Sequence, residues 1–202
     1  MMGSTRNKGE RTRSAILDSA FRLFVEQGYA ATSMRQIAAR AGLAPGGLYN
    51  HFASKDEIFR AVLEERHPFL EILPALNEVQ GKSVEEFTRD AAHMLVDQLG
   101  LHPAVANLML IEIVEFKGRH VPSLFEKFVP EILPLALHIR RLEGHMRDIP
   151  PLVLARAFLG MFFSYYITGV LMGNAMPPEM QAGALDHFVD IFLHGVLEKE
   201  TP

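Results

Sequence analysis

With 202 residues, 49% of them hydrophobic, the chain is long enough to bury a sizeable core and too apolar for a disordered class. It contains no cysteine, which excludes disulfides and thiolate chemistry and permits a cytoplasmic setting. The net charge of −4 divides into +5 over residues 1–55 and −9 over residues 56–202, a basic end suited to phosphate on an acidic body that DNA repels.

Residues 1–11 are polar and basic without an apolar core, which does not fit a secretory signal. Arg6, Lys8, Arg11 and Arg13 suit either a flexible arm reaching phosphate or a minor groove, or a solubilising tail. A first helix is expected over residues 12–27, ending at Gly28. Ile16, Leu17, Ala20, Phe21 and Phe24 give it one apolar face. Residues 32–55 then form two short helices about a tight turn. Ser33 and Gln36 make a capping box, and Ile37, Ala38 and Ala41 supply an apolar side. Gly42 falls where the chain must turn, and Pro45 suits the first turn of the next helix. Leu48 and Phe52 face inward, leaving Pro45, Gly46, Gly47, Tyr49, Asn50 and His51 on the outer face and its edges. This pattern is a helix-turn-helix whose second helix would lie in a DNA major groove. A second capping box, Ser54 to Glu57, opens a fourth helix reaching about His67, with Ile58, Phe59, Val62 and Leu63 inside. Pro68 and Pro74 mark a kink or boundary beyond it.

Residues 13–55 resemble the DNA-binding region of TetR-type (tetracycline-repressor-like) transcriptional regulators. The likeness lies in Ala20, Leu23 and Phe24 of the first helix, then GYAATSMRQIA, AG and GGLYNHFASKDEIF, and covers about the first third of the chain. It implies that Thr32, Ser33, Tyr49, His51 and Lys55 hold phosphates. It likewise implies that Arg35, Pro45, Gly46, Gly47 and Asn50 face bases. Gly46 and Gly47 depart from many proteins of this type, offering no side chain where longer groups often read bases. Selectivity would then rest on Arg35 against guanine, Asn50, apolar contact from Pro45, and close backbone approach at the glycines.

Beyond this head the chain reads as successive helices with no strand alternation. They are expected over residues 83–99, 103–116, 123–143 (opened by a Ser123/Glu126 capping box), 151–173 and 178–197. Residues 157–173 carry no charge and are at the lower length limit for a membrane span. Flanking basic anchors and a second span are missing, so no membrane partner is expected. The favoured reading is a helix buried on two sides, against its own domain and a partner subunit. By the same resemblance it joins residues 178–197 in a four-helix dimer interface, with Phe158, Phe163, Leu185, Phe188, Phe192 and Val196 as candidates. An apolar effector pocket has candidates His93, Met94, Met109, Glu112, Phe116, Phe128, Phe162, Tyr165 and Tyr166, each equally compatible with plain core. His187, Asp190 and His194 share a helix side opposite the apolar stripe, which reads as a solvated face rather than a metal site. Neither a metal nor a cofactor is expected. There is no nucleophile elbow and no phosphate-cradling loop, so no enzyme is expected.

The sequence therefore predicts an all-α chain of about nine helices. A three-helix helix-turn-helix head at residues 8–68 would carry a larger helical effector-binding and dimerisation domain at residues 69–202. The function expected is a cytoplasmic, ligand-responsive regulator, a repressor. It would bind a palindromic double-stranded DNA operator as a homodimer and be released by a small, largely hydrophobic effector. Two other classes stay open: a helical ligand carrier or enzyme with an incidental head, and a non-specific architectural DNA binder.

Overall fold

The computed structural model describes residues 3–67, 69–144, 146–181 and 183–197, without the side chains of residues 3–7 and 105. Its α-helices are α1 (Gly3–Ala31), α2 (Met34–Arg40), α3 (Pro45–Tyr49), α4 (Lys55–Arg66), α5 (Phe69–Asn77), α6 (Val84–Leu101), α7 (Ala104–Phe116), α8 (Val121–Ile139), α9 (Pro151–Met172) and α10 (Ala184–Val196). Two 3-10 turns, Gly173–Ala175 and Pro178–Met180, lie between α9 and α10. Among the described residues no strand forms, only two isolated bridges, Ser83 with Glu143 and Met146 with Leu197. The fold is all-α as expected, and the short α5 stands as a helix of its own. Pro68, expected to mark a boundary, lies outside the described residues.

The chain forms two compact units, Met1–Leu70 with Ala104–Lys127 and Glu71–Pro103 with Phe128–Pro202. In the first, the apolar faces of α1 and α4 meet. Ile16, Leu17, Ala20 and Phe24 pack with Ile58, Phe59, Val62 and Leu63, each 1% exposed or less. Ile37 and Ala38 of α2, Leu48 of α3 and Leu108 of α7 complete this core at 0% exposure. Fully burying one large apolar side chain stabilises by about 1.5–3 kcal/mol, so this cluster is the main support of the short α2 and α3. Its rim is closed by charge. Arg13 forks onto Glu65, with Nη2 donating to Oε1 at 2.7 Å, and Arg66 donates to Asp18 at 2.7 Å and to Ser14 at 2.6 Å. Arg40 pairs with Glu26.

Local chemistry sets the helix ends. Gly28 leaves helical geometry at φ +80°, ending the regular part of α1 where expected. The N-terminal side differs from expectation: helix, not arm, runs from Gly3, and nothing between there and Arg11 forbids it. The Ser33/Gln36 box forms completely, with Gln36 N–H donating to Ser33 Oγ at 3.2 Å and Ser33 N–H to Gln36 Oε1 at 2.8 Å. After α2, Leu43 N–H reaches Ala38 O at 2.9 Å and Gly42 N–H reaches Ala39 O at 3.2 Å, the paired bonds of a Schellman stop. Gly42 holds φ +70° there. At Ser54 the hydroxyl accepts from Glu57 N–H at 3.1 Å, while the Glu57 carboxylate takes Ala53 N–H at 2.8 Å. Two later starts differ from expectation. Helix α8 opens at Val121, before Ser123, whose hydroxyl donates back to His120 O at 3.0 Å. Helix α10 opens only at Ala184, because the 3-10 turn at Pro178–Met180 takes the preceding residues.

In the second unit α6, α9 and α10 share a core that includes Phe87, Leu95, Leu154, Phe162, Val189 and Phe192. Phe158 stands 4.7 Å from Phe162 and 5.6 Å from Phe192, ring centroid to centroid. On the surface Asp186 of α10 accepts from Arg89 of α6 at 2.7 Å and meets His93 at 3.1 Å. Helix α9 is long and apolar enough to cross a membrane, yet only 22% of its most apolar window is buried. One such helix among the described residues is weak evidence for a span.

Two measurements check this account of the first unit. Gly42→Ala forces a side chain into left-handed backbone and is expected to lower stability by about 1–2 kcal/mol in denaturant titration. An unchanged midpoint contradicts the Schellman stop. The Arg13 bond holds the Glu65 carboxyl below its ordinary value, with burial opposing. The resulting stabilisation is present above the ordinary carboxyl range and lost as pH falls through the lowered one. Glu65→Gln is therefore expected to lose less melting temperature than the parent between about pH 5 and pH 3.

Candidate nucleic-acid interface

The helix-turn-helix is built from a seven-residue α2 and a five-residue α3, joined through Gly42. Inward-facing Ile37, Ala38 and Leu48 fix which sides face out. The outer surface then exposes Ser33, Arg35, Pro45, Gly46, Asn50 and Tyr49, the last 57% accessible. Gly47 and His51 are half-buried at its edges. A Cβ at Gly46 would meet nothing within 4 Å, so the start of α3 is bare to its surroundings.

The charged groups of the head divide into two sets. Arg13, Arg40 and Arg66 are each spent on a carboxylate of the head itself. Arg35, exposed on α2, has no ion-pair or hydrogen-bond partner among the described residues. Its guanidinium keeps the fork of donors that suits the O6 and N7 acceptors of guanine. Lys8 and Arg11 are exposed along helical α1, and the Arg6 side chain lies outside the description.

Two residues expected to hold phosphate have internal partners. Thr32 is 2% exposed, and its hydroxyl donates to Gly28 O at 2.8 Å and accepts from Gln27 Nε2 at 3.2 Å. Lys55 Nζ donates to Tyr29 O at 2.7 Å and Thr32 O at 2.6 Å, and lies 4.1 Å from the centroid of the Tyr29 ring. Burial holds this ammonium below its usual range, with the charge of Glu115 opposing. One signal in the sequence pointed this way. A lysine in the first turn of a helix meets the positive end of the dipole, so it needs acceptors from elsewhere.

The effector candidates fall in both units. Met109 and Phe116 pack against the core of the first unit, Phe116 standing 4.7 Å from Phe59 and 4.6 Å from Tyr29. Glu112 is 1% exposed and accepts from His120 N–H at 2.7 Å, with His120 Nδ1 at 2.9 Å from its second oxygen. His93, Met94, Phe128, Phe162, Tyr165 and Tyr166 belong to the second unit. There an enclosed cavity of about 20 Å³ is lined by apolar side chains such as Leu73, Phe87, Ile132, Leu135, Leu154 and Leu159, with Thr88 the one polar side chain among them. None of the effector candidates lines it, whereas the dimer candidates Phe158, Phe192 and Val196 do. Tyr165, Tyr166 and the dimer candidate Phe188 line an open groove of about 900 Å³ together with Glu179 and His187. Leu185 is buried, and Phe163 is half-buried with its ring 6.3 Å from Tyr166.

Comparison with known proteins agrees with this geometry. Residues 16–62 match the family model for bacterial regulatory proteins of the tetR family. The HTH-type transcriptional regulator SrpR of Pseudomonas putida is 38% identical over 96 residues, which are 46% of this chain and 45% of that one. The uncharacterized HTH-type transcriptional regulator TtgW, also of Pseudomonas putida, is 38% identical over 96 residues, 46% of this chain and 72% of that one. The chain thus aligns with less than half the length of SrpR and with most of TtgW. A structure from Shewanella sp. PV-4, assigned to the tetR family of transcription regulators, has the same fold. It matches at a TM-score of 0.71 and 18% identity over 93% of this chain and 99% of that one. The chain belongs to the TetR family of bacterial regulatory proteins.

Proposed function

We propose that the protein is a cytoplasmic transcriptional repressor that binds a palindromic operator as a homodimer and is released by a small, largely hydrophobic effector. The observation that carries this reading is the outer face of α2 and α3. It has Arg35, without a partner among the described residues, polar Ser33, Tyr49 and Asn50, and no side chain at Gly46, while Glu65, Glu26 and Asp18 are paired with Arg13, Arg40 and Arg66. Ser33, Tyr49 and His51 are assigned to phosphates, and Arg35, Pro45, Gly46, Gly47 and Asn50 to base edges. Phosphate contacts position the head and base contacts specify sequence.

Two heads held about one DNA turn apart require a fixed dimer. Helix α9 supports this reading, because its most apolar window is only 22% buried and its exposed side includes Val153, Ala157, Gly160, Ser164 and Leu171. Small residues in the middle of that side let a second helix approach closely, and Ile191 of α10 is also exposed at 62%. The dimer candidates Phe158, Leu185, Phe192 and Val196 would then support this face from beneath, being buried in their own unit.

The apolar cavity of the second unit is the proposed site for a hydrophobic effector. It is about the size of one water and would have to enlarge for any ligand. An effector acts through its preference for the enlarged form, and near-complete switching needs about 5.5 kcal/mol of differential affinity.

Arg35→Ala is expected to cost about 1–3 kcal/mol on duplexes with the preferred guanine and little on those without it, read by titration of matched duplexes. Equal losses on both would contradict base reading by Arg35. Leu171→Glu places a charge on the exposed side of α9 and is expected to shift the protein from dimer to monomer in sedimentation equilibrium. A dimer of unchanged affinity would place the interface elsewhere.

A further inference from the structure

Lys55 opens α4, where the helix dipole disfavours a cation. Its ammonium reaches across to the connector between α1 and α2. Tyr29 and Thr32 are the two ends of that connector's turn, closed by Thr32 N–H donating to Tyr29 O at 3.1 Å. Lys55 Nζ bonds the carbonyls of both ends, at 2.7 and 2.6 Å. The chain has just left helical geometry at Gly28, so the Tyr29 carbonyl has the short turn bond from Thr32 N–H in place of a helical one, and the ammonium adds a charged donor to it. The connector is itself anchored, since the Tyr29 ring stands 5.5 Å from Phe59 and 4.6 Å from Phe116.

An ammonium has three N–H donors, and two carbonyls and the face of the Tyr29 ring take them up. Swinging out to a phosphate would strip both carbonyls of their charged donor in a half-buried site. That loss opposes the gain from one more exposed phosphate contact. We infer that Lys55 is a positioning residue rather than a phosphate ligand: it clamps the α1–α2 connector to the start of α4 and so fixes the angle at which α2 and α3 meet the duplex. The inference rests on the DNA-binding reading above and reassigns one residue within it.

The test uses the full chain, with duplexes selected by the parent protein from a random pool and scrambled duplexes of equal length. Lys55→Met keeps the stem and removes the ammonium. Each phosphate contact contributes about 0.9 to the slope of log K against log salt, so a clamp leaves that slope unchanged. A clamp also lowers the preference for selected over scrambled duplex by about tenfold, because a tilted α3 loses base contacts first. The melting temperature falls by about 2–6 °C. A slope reduced by about 1.8, from the two Lys55 contacts of a homodimer, with preference intact would overturn the assignment in favour of a phosphate ligand. A lower melting temperature with both slope and preference unchanged would also overturn it, leaving only a structural role. Should Lys55→Met not fold, Lys55→Gln carries the same comparison, since its amide can still reach one carbonyl. If the parent binds no duplex, the DNA-binding reading fails. The positioning role then falls with it, whatever the melting temperature does, whereas a parent that binds selected duplex and a variant that matches it in slope and preference overturn the positioning role alone.

Discussion

Helices of seven and five residues cannot hold themselves in water, where isolated helices below about 12–15 residues are marginal. Every feature of the reading face therefore depends on the apolar contact between α1 and α4. Phe24 and Phe59 sit at its centre, with ring centroids 5.4 Å apart in an edge-on arrangement. Ile37, Ala38 and Leu48 are pressed into that contact, and their burial decides which side of α2 and α3 faces out. Were Leu48 exposed, Tyr49 and Asn50 would turn inward. The chemistry of the outer face follows from the hydrophobic core beneath it.

Polar groups of the head do two jobs, and the structure keeps them apart. Ser33, Gln36, Ser54 and Glu57 satisfy helix starts, while Arg13, Arg40 and Arg66 neutralise carboxylates around the rim. The outer face of α2 and α3 keeps Arg35 without a partner among the described residues, an exposed tyrosine, an asparagine and a stretch of bare backbone. The Glu112–His120 pair secures the turn between α7 and α8 inside the same unit. Its burial is matched by its mutual bonds, the condition under which buried polar groups are tolerated.

Much of the head was legible in the sequence because its signals are local. A capping box is an i, i+3 pattern, and the stop at Gly42 needs only one residue with left-handed freedom. The partners of Lys55 lie beyond such patterns, since it reaches carbonyls more than twenty residues away, whereas the Thr32 hydroxyl bonds locally, to Gly28 and Gln27. Residues 69–202 were legible as helices but not as neighbours. Periodicity says which face of α7 is apolar and nothing about which core receives it, so Met109, Glu112 and Phe116 pack with the first unit. The same gap explains the cavity. Phe158 and Phe192 lie on helices that also present a bare side, and the apolar stripe alone does not separate the two faces. Helix α10 began later than its apolar spacing suggested because Pro177 and Pro178 lead into a 3-10 turn.

The central claim is that paired basic heads read one defined duplex. The most direct measurement is selection: incubate the full chain with random double-stranded DNA at moderate salt and sequence what remains bound. The account predicts enrichment of an inverted repeat with half-site centres about ten base pairs apart, one turn of the double helix, or a multiple of that spacing. Bound sequences no different from the starting pool, with retention that simply fades as salt rises, would contradict it.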